Sequence, residues 1–118
     1  MPEKNYAGLI QGGWRDVDFE PFRDGVTVHW IYRGSGDEPT VALLKYLPGA
    51  RIPRHRHAGL ETILILDGIQ IDEGGSYPAG SVVLNPTGSV HSVWTETGCV
   101  VLIHWDRPVV ILEQEHPH

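Results

Sequence analysis

Short runs of β-branched and aromatic residues recur along the chain, each closed by Gly, Pro, Asn or Asp. They occupy residues 27–33, 40–47, 60–66, 69–72, 81–84, 89–95, 99–105 and 109–112. None repeats its apolar positions with a 3.6-residue period over the length that a helix needs. Many short strands with close turns predict an all-β sandwich or barrel, with no helix required. Asp67-Gly68 between two apolar runs predicts a tight hairpin, because a two-residue turn needs positive φ. Gly74-Gly75, Asn85-Pro86-Thr87-Gly88 and Glu96-Thr97-Gly98 predict further reversals.

Alternation within the runs assigns faces. In 40–47 the charge of Lys45 turns its side of the strand outward, so Ala42, Leu44 and Tyr46 point inward. In 60–66 both sides are apolar, with Ile63 and Ile65 on one and Leu64 and Leu66 on the other. Such a strand is covered on both faces, either by a second copy in a homodimer or by the N-terminal segment. Residues 1–26 read as irregular, with Trp14, Phe19 and Phe22 spaced as anchors laid over a sheet. Repeats, low-complexity tracts and linkers are absent from the sequence, so residues 1–118 are expected to form a single domain.

Composition narrows the function classes. The 118 residues carry a net charge of −6, the wrong sign for displacing counterions from nucleic acid. One cysteine, Cys99, excludes an internal disulfide and any multi-cysteine zinc module. No apolar run approaches the ~18–20 residues of a membrane helix, and the first residues lack the order of a signal peptide. The expectation is a cytoplasmic protein without nucleic-acid or membrane partners.

Chemistry concentrates in two segments within 49–95. His55 and His57 lie two apart, so on an extended chain both imidazoles project from one face, and Glu61 shares their parity. Groups of this kind converging on one point call for a cation between them, and imidazole with carboxylate suits Fe, Mn, Co, Ni or Zn. In the second segment Asn85-Pro86-Thr87-Gly88 turns the chain and sets His91 near the start of the next strand. His55, His57, Glu61 and His91 are thus four potential ligands.

The spacing Gly49-x5-His55-x-His57-x3-Glu61-x6-Gly68 resembles the first cupin motif, and Gly80-x5-Pro86-x-Gly88-x2-His91 resembles the second. Where the family pattern carries an Asn after the last His, this chain has Thr95. The stretches Leu47-Pro48-Gly49-Ala50, Asp72-Glu73-Gly74-Gly75-Ser76-Tyr77-Pro78 and Asn85 to His91 further resemble ChrR-like cupins. That group includes the zinc-binding C-terminal domain of certain anti-sigma factors and stand-alone proteins similar to acetylacetone-type dioxygenases. The resemblance implies a double-stranded β-helix, or jelly-roll barrel, with one divalent metal on His55, His57, Glu61 and His91. Four ligands would leave two of six octahedral positions open, which is what activation of a substrate or O₂ needs.

Two functions compete at this point. One is a metal-dependent dioxygenase acting on a small oxygen-rich molecule such as a β-diketone or hydroxyketone. The other is a metal- or ligand-sensing regulatory domain, although residues 1–26 lack the His and Cys of the helical domain that anti-sigma relatives carry. A metal-free sugar isomerase on the same barrel is disfavoured by the intact ligand set. Arg54 and Arg56 are candidates for an anionic substrate, but Arg56 has the opposite parity to the histidines. His104 reads as a core or interface histidine with a possible second role in the lumen, and His29 as partly exposed. Tyr46 and Tyr77 suit either packing or substrate orientation. Cys99 reads as a buried small hydrophobe, the four tryptophans as core and interface, and His116 and His118 as a tail.

Overall fold

A computed structural model describes residues 3–112. After one 3₁₀ turn, Gly13–Asp16, the described residues form ten strands. They are β1 Glu20–Arg23, β2 Val26–Tyr32, β3 Thr40–Tyr46, β4 Arg51–Arg56 and β5 Glu61–Asp72, then β6 Gly75–Pro78, β7 Val82–Asn85, β8 Val90–Trp94, β9 Cys99–Trp105 and β10 Val110–Ile111. Every pairing among them is antiparallel. The strand order β1-β2-β3-β9-β5-β8-β4-β10, with β6 and β7 also paired to β5, curls the sheet into a half-barrel. The all-β expectation holds, and the tail histidines His116 and His118 lie outside the described residues.

The runs read from hydrophobicity correspond to β2, β3, β7, β8, β9 and β10 within a residue or two. Three strands went unforeseen, and each has a physical reason. β4 (Arg-Ile-Pro-Arg-His-Arg) buries Ile52, Pro53 and His55 among three exposed arginines, so it lacks an apolar alternation. β1 carries Pro21 at the sheet edge, where a missing N–H is tolerated, and β6 is only Gly-Ser-Tyr-Pro.

The Asp67-Gly68 hairpin is a correction. The chain does not reverse there; 60–66 and 69–72 belong to the one strand β5. Opposite β9 the register passes from Ile65↔Val101 to Asp67↔Val100, so Leu66 is an extra residue in a β-bulge. Gly68 supplies the positive φ, +72°, and it faces Gly98 so closely that a Cβ would sit 2.1 Å from the Gly98 oxygen. The bulge shifts the inward parity of β5 from 61, 63 and 65 to 70 and 72. The actual hairpin follows at Glu73-Gly74, where Asp72 pairs with Gly75.

Two apolar clusters flank the sheet. The inner one joins Val28, Ala42, Leu44, Tyr46, Ile63, Ile65, Val101 and Ile103. The outer one places Trp14 over Leu43 and Val100, with Phe19, Leu66 and Leu102 packed around them. The N-terminal segment therefore covers part of the second face that the apolar pattern required. Leu43 is wholly buried beneath it, a contribution of ~2 kcal/mol. His29 fastens the segment, meeting the Tyr6 hydroxyl at 3.1 Å through Nε2 and the Asp18 carbonyl at 2.8 Å through Nδ1. Phe22 departs from the expected anchor role: it lies on the inner side, at the mouth of the cavity, against Trp30.

Candidate metal centre

β4 and β8 pair with His55 directly opposite His91, and His57 follows two residues beyond His55. The chain leaving β4 is held there by backbone bonds from His57 N–H to Ser89 O and from Gly88 N–H to His57 O. All three rings are buried and meet edge to face, with centroids 5.0 Å apart for His55–His57 and 4.7 Å for each other pair. One nitrogen from each lies within 4.8 Å of the others.

Each imidazole has its Nδ1 occupied on the side away from the cluster. That of His55 meets Pro53 O at 2.8 Å, that of His57 meets Ser89 O and Oγ at 3.0 Å, and that of His91 meets Asp72 Oδ2 at 3.0 Å. A carbonyl acceptor fixes the proton on Nδ1 of His55 and His57, leaving Nε2 as the metal-facing nitrogen. His91 Nε2 is buried with no hydrogen-bond partner. Burial holds the His55 imidazole below its ordinary pKa and therefore neutral, as a ligand must be. Three convergent imidazoles with an orphaned ring nitrogen fit a borderline divalent cation.

Glu61 is buried at the start of β5 and reaches the same cluster. Its Oε1 lies 3.1 Å from His57 Nε2 and accepts a 3.0 Å hydrogen bond from Asn85 Nδ2. Burial opposes charge on His57, but the hydrogen bond and the charge of Glu61 outweigh it and raise its pKa. Here Glu61 is paired with His57 and is not one of the three-nitrogen group.

A cavity of about 350 Å³ opens beside the histidines. His55, Glu61, Gln70 and Tyr46 contribute to its wall, and Leu44, Ile63, Ile103, Trp30 and Trp105 make most of the rest apolar. Burial pushes the Tyr46 phenol above its usual range, so it remains neutral. Trp30 and Trp105 are thus cavity residues, beyond the core role read for the tryptophans. Arg54 and Arg56 turn to solvent from the opposite side of β4, while Arg23 and Arg33 border the cavity. His104 faces the outer side of β9, half exposed and 3.6 Å from Asp106, so it has no place in the lumen. Thr95, just past β8, donates its hydroxyl to Ile69 O at 2.6 Å and so ties that end to β5. Burial pushes the Cys99 thiol up to about 12, which leaves it inert as a nucleophile.

Sequence reasoning gave no role to Asp72, Gln70, Asn85 or Ser89. For Asp72 and Gln70 the obstacle was the bulge, which hides their inward parity. Asn85 and Ser89 bracket the turn before β8, and their role depends on a loop conformation that no periodicity encodes.

The ChrR Cupin-like domain family model matches residues 11–108. No curated protein matches. Among solved structures, the anti-sigma ChrR of Rhodobacter sphaeroides, in complex with SigE, is 29% identical with a TM-score of 0.68. That match covers 78% of this chain and 50% of ChrR. An acetylacetone dioxygenase from Acinetobacter johnsonii is 17% identical, with a TM-score of 0.74 over 80% of this chain and 72% of that one. The polyketide cyclase RemF of Streptomyces resistomycificus is 18% identical, with a TM-score of 0.72 over 98% and 87%. The chain spans 60% of the length of a cupin-like protein from Ralstonia eutropha and half that of ChrR.

Proposed function

Because the chain belongs to the ChrR Cupin-like domain family, we propose that it holds one divalent metal ion on His55, His57 and His91, with Glu61 as the fourth donor, and acts as a dioxygenase on a small oxygen-rich molecule of the β-diketone or hydroxyketone type. The observation that carries this reading is the convergence of three buried imidazoles, each tied at Nδ1, beside an apolar cavity. A metal bound there supplies Lewis-acid polarisation and stabilises negative charge on an enolised substrate. The apolar wall of Leu44, Ile63 and Ile103 excludes water, and Tyr46 stays a neutral donor. Asn85 holds Glu61 at the edge of the cluster, where the acid can accept a proton or a ligand position. The protein is further read as cytoplasmic and homodimeric, its exposed Val82 and Leu84 on β7 offering an apolar surface to a second copy.

Likeness to the anti-sigma ChrR supports a second reading, a metal- or ligand-sensing domain without catalysis. One experiment separates the two. Protein purified without chelators is assayed for metal content, and the Fe(II)-loaded form for oxygen uptake with acetylacetone and with catechol. Stoichiometric metal with oxygen uptake supports the enzyme; stoichiometric zinc with no uptake supports the sensor. A protein that takes up no divalent metal refutes the enzyme and any metal-sensing role.

Asp72 offers an independent check. Its carboxylate aligns His91 and also accepts hydrogen bonds from Gly74 N–H and Tyr77 Oη. Asp72→Asn is expected to weaken metal binding about 10–100-fold while leaving the fold intact, because outer hydrogen-bond partners orient ligating imidazoles. Competition titration of zinc against a chromophoric chelator measures it.

A further inference from the structure

We infer that the cavity is built for a planar, uncharged ring compound, and that Gln70 reads a polar group on that compound with its carboxamide. This assignment rests on the reading of the cavity as the substrate chamber beside the metal centre. Gln70 is 0% exposed and borders the cavity, yet neither its Nε2 nor its Oε1 has a hydrogen-bond partner. Folding alone gives no reason for this. The earlier inward positions of β5 are Glu61, which is paired with His57 and Asn85, and the aliphatic Ile63 and Ile65, and an aliphatic residue at 70 would satisfy the strand without burying an unpaired amide. A buried polar group of this kind in an otherwise apolar pocket is a specificity element for a ligand.

The chemistry of the amide narrows the ligand. A carboxamide presents a donor beside an acceptor, so its complement is a group that does the same, such as a hydroxyl next to a carbonyl or the edge of a lactam. A carboxylate would leave Oε1 without a donor, and an ammonium would leave Nε2 without an acceptor. The walls select shape. Phe22 and Trp30 meet edge to face at 5.8 Å, and Trp30 and Trp105 at 6.4 Å, making a ladder of aromatic rings on one side of the cavity. The guanidinium of Arg33 lies 4.3 Å from the Trp30 ring centroid and is engaged there. A flat ring packs against such a ladder, and a volume of about 350 Å³ sits at the small end of ligand pockets.

The test uses the full chain and three small probes: oxindole, whose lactam offers a donor beside an acceptor; N-methyloxindole, whose donor is blocked; and indane, which has neither. Binding is followed by tryptophan fluorescence, since Trp30 and Trp105 border the cavity. Wild-type protein is expected to prefer oxindole over N-methyloxindole by about tenfold or more, the discrimination of a site whose polar group is otherwise left unpaired. Gln70→Met, an unbranched replacement of similar length, is expected to lose about tenfold or more in oxindole affinity and to keep its affinity for indane. Equal wild-type affinity for the two lactams overturns the inference without recourse to any variant. So does an unchanged oxindole preference in Gln70→Met. Titrations run on both chelator-treated and zinc-loaded protein separate this from the metal reading. The lactam preference without zinc uptake supports Gln70 and refutes the metal site; zinc uptake without the preference does the reverse.

Discussion

His57→Ala is expected to lose metal affinity by more than two orders of magnitude and to remain folded. Loss of an outer hydrogen-bond partner already costs about 10–100-fold, so loss of a donor must cost more. The fold survives because the local chain is pinned by main-chain groups, His57 N–H to Ser89 O and Gly88 N–H to His57 O, which alanine retains. Asn85 still donates to Glu61, so the acid is not stranded. Element analysis gives the metal content, and circular dichroism with a thermal midpoint reports the fold. A variant that keeps its full complement of metal overturns the ligand set.

Gly68→Ala should have the largest effect on stability. The residue sits at φ +72°, and a Cβ there would lie 2.1 Å from Gly98 O and 2.9 Å from Cys99 Cα. Both neighbours are backbone, so no side chain can swing aside. The left-handed conformation and the overpacking together cost about 3 kcal/mol or more, which lowers the thermal midpoint by about 10 °C or more. Function should fall further than stability, because straightening the bulge would rotate Asp72 off His91 and Gln70 out of the cavity wall. Thermal unfolding compared with zinc affinity at 20 °C checks both. An unchanged midpoint with unchanged zinc binding would show that the bulge is not needed.

Much of the molecule is legible in its sequence. The limits of β9 follow from its apolar run, and Ala42, Leu44 and Tyr46 of β3 are buried as their alternation with Lys45 predicts. His55, His57 and His91 were found through framing glycines and parity, and their rings do converge. What stayed hidden depends on contacts between distant residues. Asp67-Gly68 has the local chemistry of a hairpin, and only its pairing with β9 turns it into a bulge. β4 shows no strand-like alternation, since its buried positions Ile52, Pro53 and His55 break the period of two. Gln70 and Asp72 were obscured for the same reason as the bulge. The two-sided greasiness of 60–66 admitted a partner subunit or the N-terminal segment, and Trp14 with Phe19 supplies at least part of that cover.

The three imidazole anchors differ in kind, and that difference has an evolutionary side. His55 leans on the carbonyl of Pro53, and His57 on the carbonyl as well as the hydroxyl of Ser89. Main-chain oxygens persist whatever side chain replaces these residues, so both rings ride on bearings that point mutation cannot remove. His91 has no such main-chain partner at Nδ1 and is steered by a replaceable group, the carboxylate at position 72. Among the groups that orient the rings, position 72 is therefore the one whose change leaves an imidazole with no anchor at all, and descendants with a retuned His91 should carry their change there.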